Sequence, residues 1–459
     1  MRPSGIQRLQ VELCRALVVL PESSDRVFFV RHDAERSCFV ATPWEAVEVL
    51  FSVMTSGSDE ESKARSVAEM ARSALRKAIY ALPPGLRKIV LLQVAIFIGL
   101  AELVRACAGV LAEALQRSRP PKNSALSSDH FACAAQPGDI LAALGSPWFE
   151  PDYASYIEKV KREKDLRFAL LIYDIIPLRR PEWCDEELTK HFRAWFDGTL
   201  ALADTILTIS AATAADVSKY AENSNLVLRA IPTPIPIGTG FKKSNTRQRS
   251  ATSGAVLRRR LPPPNSYALI VSTIEPRKNH VLLFRVWRRL LEDMPAASVP
   301  TLVFAGRVGW LASDFMQQLR NSSFLDGKIM LAESPTDEEL EALYDGCLFT
   351  LFPSFYEGWG LPVTESHAFG RPCIISKTTS LPEAGGLLAR YIDPDNTTDA
   401  YRVIRETIQD QAGLREWRDR VRREFRPVNW GQSAHAVLKV LDTTEHASSA
   451  REPKLRLRA

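Results

Sequence analysis

Two glutamates lie eight positions apart in the segment FPSFYEGWGLPVTESHAFGRP, at 352–372. Glu357 falls in the loop before a predicted helix, and Glu365 falls about one turn inside that helix. Carboxylates placed in this way can reach different parts of one ligand and accept hydrogen bonds from sugar or ribose hydroxyls. The spacing alone equally allows an ordinary capped helix that carries two solvated glutamates.

The residues between the two glutamates indicate what the helix could bind. Gly358 and Gly360 permit close approaches that a Cβ would block, and Pro362 suits the first turn of a helix. The sequence therefore predicts a helix over 361–369 whose N-terminus opens onto a cleft. The free N–H groups at such an end form an anion site that suits phosphate.

A second candidate site is basic. In the segment STIEPRKNHVLLF, at 272–284, Arg277 and Lys278 stand where a predicted strand gives way to a helix. A lysine at this junction can neutralise a pyrophosphate as a point charge. We expect both residues on the same side of the sheet as the Glu357 loop. The alternative is a plain exposed pair of basic side chains.

The elements that position these residues are two series of apolar strands alternating with amphipathic helices. This pattern indicates α/β domains with parallel, doubly wound sheets, which bind ligands beyond the carboxyl ends of their strands. A helix over 5–17 and a helix over 336–345, opened by a capping box of Thr336 and Glu339, are also predicted. The predicted strands lie at 139–145, 168–174, 205–210 and 226–230, then at 267–273, 301–306, 328–333, 347–354 and 373–376.

The first series stops at the proline-rich segment IPTPIPIG, because proline fits neither a central strand nor a helix interior. We therefore predict two Rossmann-like domains facing a cleft, joined by a linker and followed by a basic, disordered tail. The boundaries are 1–235 for the N-terminal domain, with a helical insertion at about 60–117, then 236–265 for the linker, 266–443 for the C-terminal domain and 444–459 for the tail.

The composition excludes several classes of protein. Hydrophobic residues make up 46% and charged residues 25% of the 459 residues, as in globular proteins. The net charge of +5 is mild, whereas a dedicated nucleic-acid binder concentrates far more basic charge. The seven cysteines are scattered without a C-x-x-C pair, which indicates reduced thiols in a cytoplasmic protein.

Together these segments resemble family 4 of the glycosyltransferases, a retaining group with the GT-B fold. The E-x7-E spacing of Glu357 and Glu365 is that family's hallmark, and the likeness is densest over 267–395. The motifs are S-G-I-Q-R at 4–8, Y-D-I-I-P-L-x-x-P-E at 173–182, E-P-R-K-N at 275–279, F-A-G-R-V-G-W at 304–310, S-P-T-D-E-E-L-x-x-L-Y at 334–344 and P-S-F-Y-E-G-W-G-L-P-V-T-E at 353–365.

The resemblance implies a role for each matching residue. Lys278 would bind the diphosphate of a nucleotide-sugar donor, Glu357 the donor sugar and Glu365 the ribose hydroxyls. The loop at 333–336 would hold the nucleobase. The remaining donor-binding residues implied by the resemblance are Gly5, Arg277, Gly358, and the amides of Gly360 and Leu361.

Two positions depart from the family pattern. The arginine that often stands six residues before the lysine is replaced by Ser272, and Arg277 or Arg307 would have to supply the second phosphate cation. Many members have His-Asp where this chain has Tyr173 and Asp174, and tyrosine cannot act as imidazole does. Asp174 is a catalytic candidate, together with Lys278 and Glu357.

The expected reaction is transfer of a sugar from a nucleotide diphosphate to a saccharide or lipid-linked acceptor, with retention and without a metal or cofactor. The E-P-R-K-N variant resembles mannosyltransferases of surface-polysaccharide assembly, so the first guess for the donor is GDP-mannose. Asp393 and Asp395 form a D-x-D sequence, but it lies far along the chain from the nucleotide motifs and is interpreted as a loop. A GT-B sugar-nucleotide epimerase and a non-catalytic partner subunit are the alternatives.

The most hydrophobic segment, IVLLQVAIFIGLA at 89–101, is too short as a helix to cross a bilayer core of about 30 Å. It is predicted to be a buried or docking helix. The alternative is an interfacial helix, since Arg87 and Lys88 precede it. That alternative would place the protein peripherally at the inner face of the plasma membrane, where lipid-linked acceptors lie.

The start of the chain also yields an expectation. A GT-B glycine loop follows the first strand, yet S-G-I-Q-R begins at residue 4. Three residues cannot supply a strand of about five to six. The N-terminal sheet is therefore expected to lack that strand, and the natural chain to begin upstream.

Overall fold

A computed structural model describes residues 5–23, 26–33, 38–55, 135–150, 152–240 and 261–449. The predicted helical insertion at 60–117, with its hydrophobic segment, lies outside the described residues, and so do 241–260 of the predicted linker. The strands are β1 (Val30–Asp33), β2 (Cys38–Ala41), β3 (Ile140–Ala143), β4 (Arg167–Ile172), β5 (Thr205–Thr208), β6 (Thr233–Pro234), β7 (Tyr267–Val271), β8 (Thr301–Gly306), β9 (Ile329–Glu333), β10 (Thr350–Phe352), β11 (Cys373–Ser376) and β12 (Arg390–Ile392).

Helices follow most of these strands. They are α1 (Gly5–Val19), α2 (Trp44–Thr55), α3 (Tyr153–Lys164), α4 (Ile176–Arg179), α5 (Glu186–Leu202), α6 (Ala211–Asn223), α7 (His280–Asp293), α8 (Ser313–Asn321), α9 (Ser323–Asp326), α10 (Asp337–Gly346), α11 (Leu361–Ala368), α12 (Leu381–Gly385), α13 (Thr397–Gln409), α14 (Gln411–Glu424) and α15 (Trp430–Ser449). The predicted helix over 5–17 is confirmed by α1. The predicted capping box is confirmed at α10, where Thr336 and Glu339 bond reciprocally.

The chain divides into two units, of which the smaller has Phe28–Asp33 and residues 39–55 in its described part. It contains β1 and most of β2, which pair as a two-stranded sheet, and the helix α2. The larger unit holds every other described element, including two parallel sheets that confirm the α/β prediction.

The N-terminal sheet of the larger unit has the order β3-β4-β5-β6, with all neighbours parallel. Its edge strand β6 contains Pro234, which pairs with Thr208. Proline lacks an N–H group, so it is tolerated at an edge, where only one neighbour needs bonding. The strand predicted at 226–230 is wrong: Val227 there is 84% exposed, and the next strand along the chain is β6.

The C-terminal sheet has the order β12-β11-β10-β7-β8-β9, again parallel throughout. Its first strand in the sequence, β7, lies in the middle with β10 on one side and β8 on the other. The direction of winding therefore reverses between β10 and β7. In such sheets a ligand binds in the crevice beyond the carboxyl ends of the two strands at this switch point.

The last helix returns to the N-terminal sheet. On α15, Ala434, Val437 and Leu438 are buried in one cluster with Leu9 and Leu13 of α1, beneath β4 and β5. Residues 430–443, assigned to the C-terminal domain from sequence, therefore pack on the N-terminal half. Residues 444–449, predicted as the start of a disordered tail, continue the helix.

Among the residues that the structure describes, no helix is both long enough and apolar enough to cross a bilayer.

The return of α15 predicts a specific loss of stability. Leu438 is 8% exposed, so Leu438→Ala should lower the free energy of unfolding by about 2–4 kcal/mol, because it removes buried methyl groups and leaves a cavity. The neighbouring exposed residue gives the control, and Lys439→Ala should change the value by less than about 0.5 kcal/mol. Denaturant unfolding measures both free energies. If Leu438→Ala is as stable as wild type, the packing of α15 is contradicted.

Candidate functional site

The loop after β7 is shaped by Asn279. Pro276–Lys278 makes a single 3-10 turn, and Asn279 follows with φ at 58°, a left-handed conformation that asparagine adopts more readily than most residues. Its side-chain amide donates to the carbonyls of Pro353 (3.2 Å) and Pro394 (2.9 Å). The loop that carries Arg277 and Lys278 is thereby tied to the loop that follows β10.

Four charged side chains meet between these two loops. Glu357 accepts from Arg277 Nη1 at 2.8 Å and from Lys278 Nζ at 2.5 Å, and the other arm of Arg277 reaches Glu275 at 2.7 Å. These side chains are only 3–17% exposed. The structure therefore excludes the simpler interpretations of Arg277 and Lys278 as an ordinary exposed pair and of Glu357 as a solvated glutamate.

The buried charges in this cluster shift one another's pKa values. Burial opposes ionisation of Glu357, but Arg277 and Lys278 outweigh it and lower its pKa to about 2. Burial and the charge of Arg277 lower the pKa of Lys278, whereas the charge of Glu357 acts to raise it. Burial also works against the Arg277 guanidinium, but Glu357 and Glu275 outweigh it and raise its pKa.

Gly358 brings the N-terminal half to this cluster. A Cβ on Gly358 would lie 2.3 Å from the carbonyl oxygen of Tyr173 and 3.0 Å from Cβ of Asp174, so only glycine fits. Asp174 is half-buried and accepts from the amide of Ile176 at 3.0 Å. Burial raises its pKa, opposed by the nearby charge of Arg277. The predicted residues Asp174, Arg277, Lys278, Glu357 and Gly358 thus share one place.

At the two positions that depart from the family pattern, the side chains are bonded within the protein. The Tyr173 hydroxyl donates to the carbonyl of Leu144 at 2.5 Å, and the side chain is 4% exposed within the N-terminal core. The Ser272 hydroxyl contacts Nε2 of buried His280 at 3.2 Å. Burial lowers the pKa of His280 to about 3, so Ser272 has a neutral partner. In this structure both hydroxyls are bonded within the protein.

The predicted helix N-terminus is present. Gly360 is the N-cap of α11 with φ at 121°, and a Cβ there would lie 2.9 Å from Leu381 Cδ2. Leu361 and Pro362 begin the helix immediately after the Glu357 loop. The predicted amides of Gly360 and Leu361 therefore lie at the switch point of the sheet.

Glu365 is buried and bonded within the protein. A carboxylate that binds a ligand on the cleft would be partly exposed, but Glu365 is 7% exposed and accepts from the Tyr344 hydroxyl at 2.9 Å. Burial raises the pKa of this carboxyl to about 7, opposed by that hydrogen bond and by the charge of Arg8. Tyr344 is a partner that sequence reasoning missed, because nothing in the motif links positions 344 and 365.

Gly5 is also placed differently from the expected glycine loop. It is the exposed first residue of α1, and a Cβ on it would meet no atom within 4 Å. One turn further on, Arg8 pairs with Asp337 of α10 at 2.7 Å and acts electrostatically on Glu365. Arg8, which the sequence analysis did not single out, therefore brings α1 to the site.

Further contacts join the two halves around the site, and sequence reasoning found none of them. Glu383 accepts from the amides of Ala211 and Ala212 at the start of α6, at 2.8 Å each. The Tyr356 hydroxyl bonds to Asp216. Trp310 Nε1 donates to the carbonyl of Trp183 at 2.7 Å, and the Trp183 ring stacks on Phe355 with centroids 5.5 Å apart.

The D-x-D sequence of Asp393 and Asp395 forms part of a loop, as predicted. Asp393 pairs with Lys377 at 3.1 Å and accepts from the amide of Asp395 at 3.0 Å. Among the residues that the structure describes, no three His, Cys, Asp or Glu side chains are grouped as metal ligands.

The raised pKa of Glu365 predicts a pH-dependent stability. Because this pKa is about 7 in the folded chain and about 4.3 in an unfolded one, wild-type stability should fall as the pH rises between these values. Glu365→Gln keeps the shape and cannot ionise. The free energy of unfolding of Glu365→Gln minus that of wild type should therefore increase by about 2–3 kcal/mol from pH 5 to pH 8, because only the wild type loses stability over this range.

Denaturant unfolding at the two pH values measures this difference, with Glu338→Gln on the exposed side of α10 as the control. A difference between Glu365→Gln and wild type that does not change with pH would contradict the buried, proton-binding carboxyl.

Comparison with known proteins identifies the C-terminal half. Residues 258–424 match the family described as "Glycosyl transferases group 1". The chain is 29% identical over 286 residues to the "Serotype-specific mannosyltransferase WbdA" of Escherichia coli, covering 60% of this chain and 33% of that protein. It is 34% identical over 153 residues to the "O-antigen chain mannosyltransferase B" of Escherichia coli, covering 33% of this chain and 38% of that protein. The chain thus matches little more than a third of the length of these relatives.

Solved structures confirm the fold. The "Sucrose-phosphate synthase (tll1590) from Thermosynechococcus elongatus" superposes with a TM-score of 0.50 at 18% identity, over 70% of this chain and 76% of that one. The "Candida albicans trehalose-6-phosphate phosphatase N-terminal domain" gives the same TM-score at 13% identity, over 68% and 72%. With its two parallel sheets in Rossmann-like halves, the chain has the GT-B fold, and its residues 258–424 match the model of the glycosyl transferases of group 1.

Proposed function

We propose that this protein transfers a sugar from a nucleoside diphosphate sugar to an acceptor hydroxyl. One observation carries the proposal: the cluster of Arg277, Lys278 and Glu357 lies beside the N-terminus of α11, where the sheet order reverses between β7 and β10. Cations and free backbone N–H groups together bind phosphate, and this is the place where such folds bind nucleotides.

The proposed donor runs along the carboxyl edge of the C-terminal sheet. Lys278 binds the diphosphate, with the amides of Gly360 and Leu361 as further donors. Glu357 lies beside Lys278 and accepts from the hydroxyls of the sugar. Glu365, four residues inside α11, accepts from the ribose hydroxyls, and the loop at 333–336 after β9 holds the base.

The chemistry follows from the charge that develops on the leaving phosphate. The positive Lys278 and the N-terminus of α11 stabilise that charge from positions that are set before the reaction, which is the most effective form of electrostatic catalysis. These groups replace a metal ion in the proposed mechanism. We propose retention at the anomeric carbon, as the resemblance implies, with the departing phosphate assisting attack from the same face. Asp174 lies on the acceptor side of the cluster.

The relatives support mannose as the sugar, since the names of both Escherichia coli enzymes specify mannosyl transfer. GDP-mannose is therefore the proposed donor, and a saccharide or a lipid-linked glycan is the proposed acceptor. We further propose peripheral attachment to the inner face of the plasma membrane through residues 60–117.

The role of Lys278 is tested by donor binding. Lys278→Ala should weaken binding of GDP-mannose by about 1.5–3 kcal/mol, because a charge-assisted contact to phosphate is lost. The matched control is Lys377→Ala, which removes a lysine that follows β11 at the same edge of the sheet but pairs with Asp393. Calorimetry with GDP-, UDP-, ADP- and dTDP-sugars measures these affinities. Unchanged affinity in both Lys278→Ala and Glu365→Ala would refute the site.

A nucleotide-release assay with and without acceptor separates the proposed reaction from the alternatives. A transferase releases nucleoside diphosphate in an acceptor-dependent manner. An epimerase changes the sugar without net release, and a partner subunit binds donor without turnover. Either of the last two results would contradict the proposed transfer.

Membrane attachment is tested by liposome flotation. The protein should float with vesicles rich in anionic lipid, and added salt should reduce this binding, because surface charges are screened over about 8 Å at physiological ionic strength. A variant that lacks residues 60–117 provides the control. If it floats as well as the complete chain, those residues are not the attachment site.

A further inference from the structure

The cluster around Glu357 is electrically balanced, and this is unexpected for a diphosphate site. The charges of Arg277 and Lys278 are matched by those of Glu275 and Glu357, which accept the three ion pairs of this cluster. A nucleoside diphosphate sugar carries a negative charge on each phosphate. Bringing it to four side chains whose charges cancel leaves the phosphate charge compensated mainly by the partial charge of about +0.5 at the α11 N-terminus. A further cation is needed.

The proposed path of the donor along the sheet indicates where to look for this cation. The proposed donor has its diphosphate at the end of β7 and its base at the end of β9, and β8 lies between these strands. The part of the nucleotide between phosphate and base therefore passes the carboxyl end of β8. Arg307 is the first residue after β8.

The backbone around Arg307 is fixed against the loop that leads to Lys278. Its carbonyl accepts from the amide of Ile274 at 2.9 Å, and the amide of Gly309 donates to the Ile274 carbonyl at 2.9 Å. A Cβ on Gly306 would lie 2.0 Å from the carbonyl oxygen of Ser272, so the two chains approach closely. Arg307 thus extends from a rigid position beside the phosphate-binding loop.

Its guanidinium is available, whereas its neighbours are engaged. Arg307 is exposed, and within the described part of the chain its side chain makes no hydrogen bond or ion pair. By contrast, Arg277 is held by two carboxylates, and Arg8 is paired with Asp337. Ser272 carries no charge and is bonded to His280.

We propose that Arg307 is the second cation for the donor diphosphate, an inference that rests on the proposed function. Its guanidinium would bind phosphate oxygens as a fork of two N–H donors, a geometry that lysine does not offer. Arg277 would instead be a positioning residue that holds Glu357 in place through its ion pair and its bond to the Tyr356 carbonyl at 2.7 Å.

The test uses the complete chain and whichever of GDP, UDP, ADP and dTDP binds the wild type most tightly. Arg307→Ala should raise the Kd by about 10- to 100-fold, and Arg307→Lys should recover part of this loss. The Kd should also depend less steeply on salt, because one phosphate contact is missing. The control is Arg320→Ala, an exposed arginine on the following helix α8, which should bind as wild type does.

The outcomes separate the two proposals. If Lys278→Ala weakens binding but Arg307→Ala binds as wild type does, the assignment of Arg307 is overturned and the proposed function stands. If the wild type binds none of the four nucleotides, the proposed function is contradicted, and this inference with it. Thermal unfolding should be unchanged in Arg307→Ala, since the exposed side chain has no partner to lose among the described residues. A matching loss of stability and of nucleotide affinity would indicate a structural role and overturn the assignment.

Discussion

The ion pairs of Glu357 hold the site together. One carboxylate receives both an arginine and a lysine from the loop after β7, although Glu357 itself belongs to the loop after β10. The group is largely withdrawn from water, so loss of any one member would leave the remaining buried charges unbalanced, which is costly in a protein interior. The amide of Asn279 makes the same connection through uncharged groups. Two loops far apart in the sequence therefore behave as one structural element.

The rest of the site is arranged around this element. Because β7 and β10 are adjacent and parallel, their loops leave the sheet at the same edge, and α11 starts where they meet. The absence of a side chain at Gly358 lets the end of β4 approach, which adds Asp174 from the other half. Leu361 and Trp359 then pack against the N-terminal core. The loop before α11 and the core of the N-terminal half thus share residues.

Much of this was predictable because it depends on local sequence. Strand periodicity, the capping box at Thr336 and the glycines around Pro362 predicted the C-terminal sheet and the start of α11. Burial of Glu365 against Tyr344, and the pairing of Glu275 with Arg277, were not predictable, since each depends on which side chains the fold brings together. The strand at Thr233 and Pro234 was missed for a related reason: proline is excluded from a central strand, but not from the edge position that β6 takes.

The path of α15 has a consequence for how this fold can be recombined. The two structural halves do not correspond to two continuous stretches of sequence, because the N-terminal core is completed by a helix from the far end of the chain. A chimera that exchanges everything after the proline-rich segment would join α1 to a foreign last helix. Its junctions should instead fall near residue 240 and just before Trp430, whose ring lies against Gly238. Two homologues could then exchange the intervening domain while each keeps its own first and last helices.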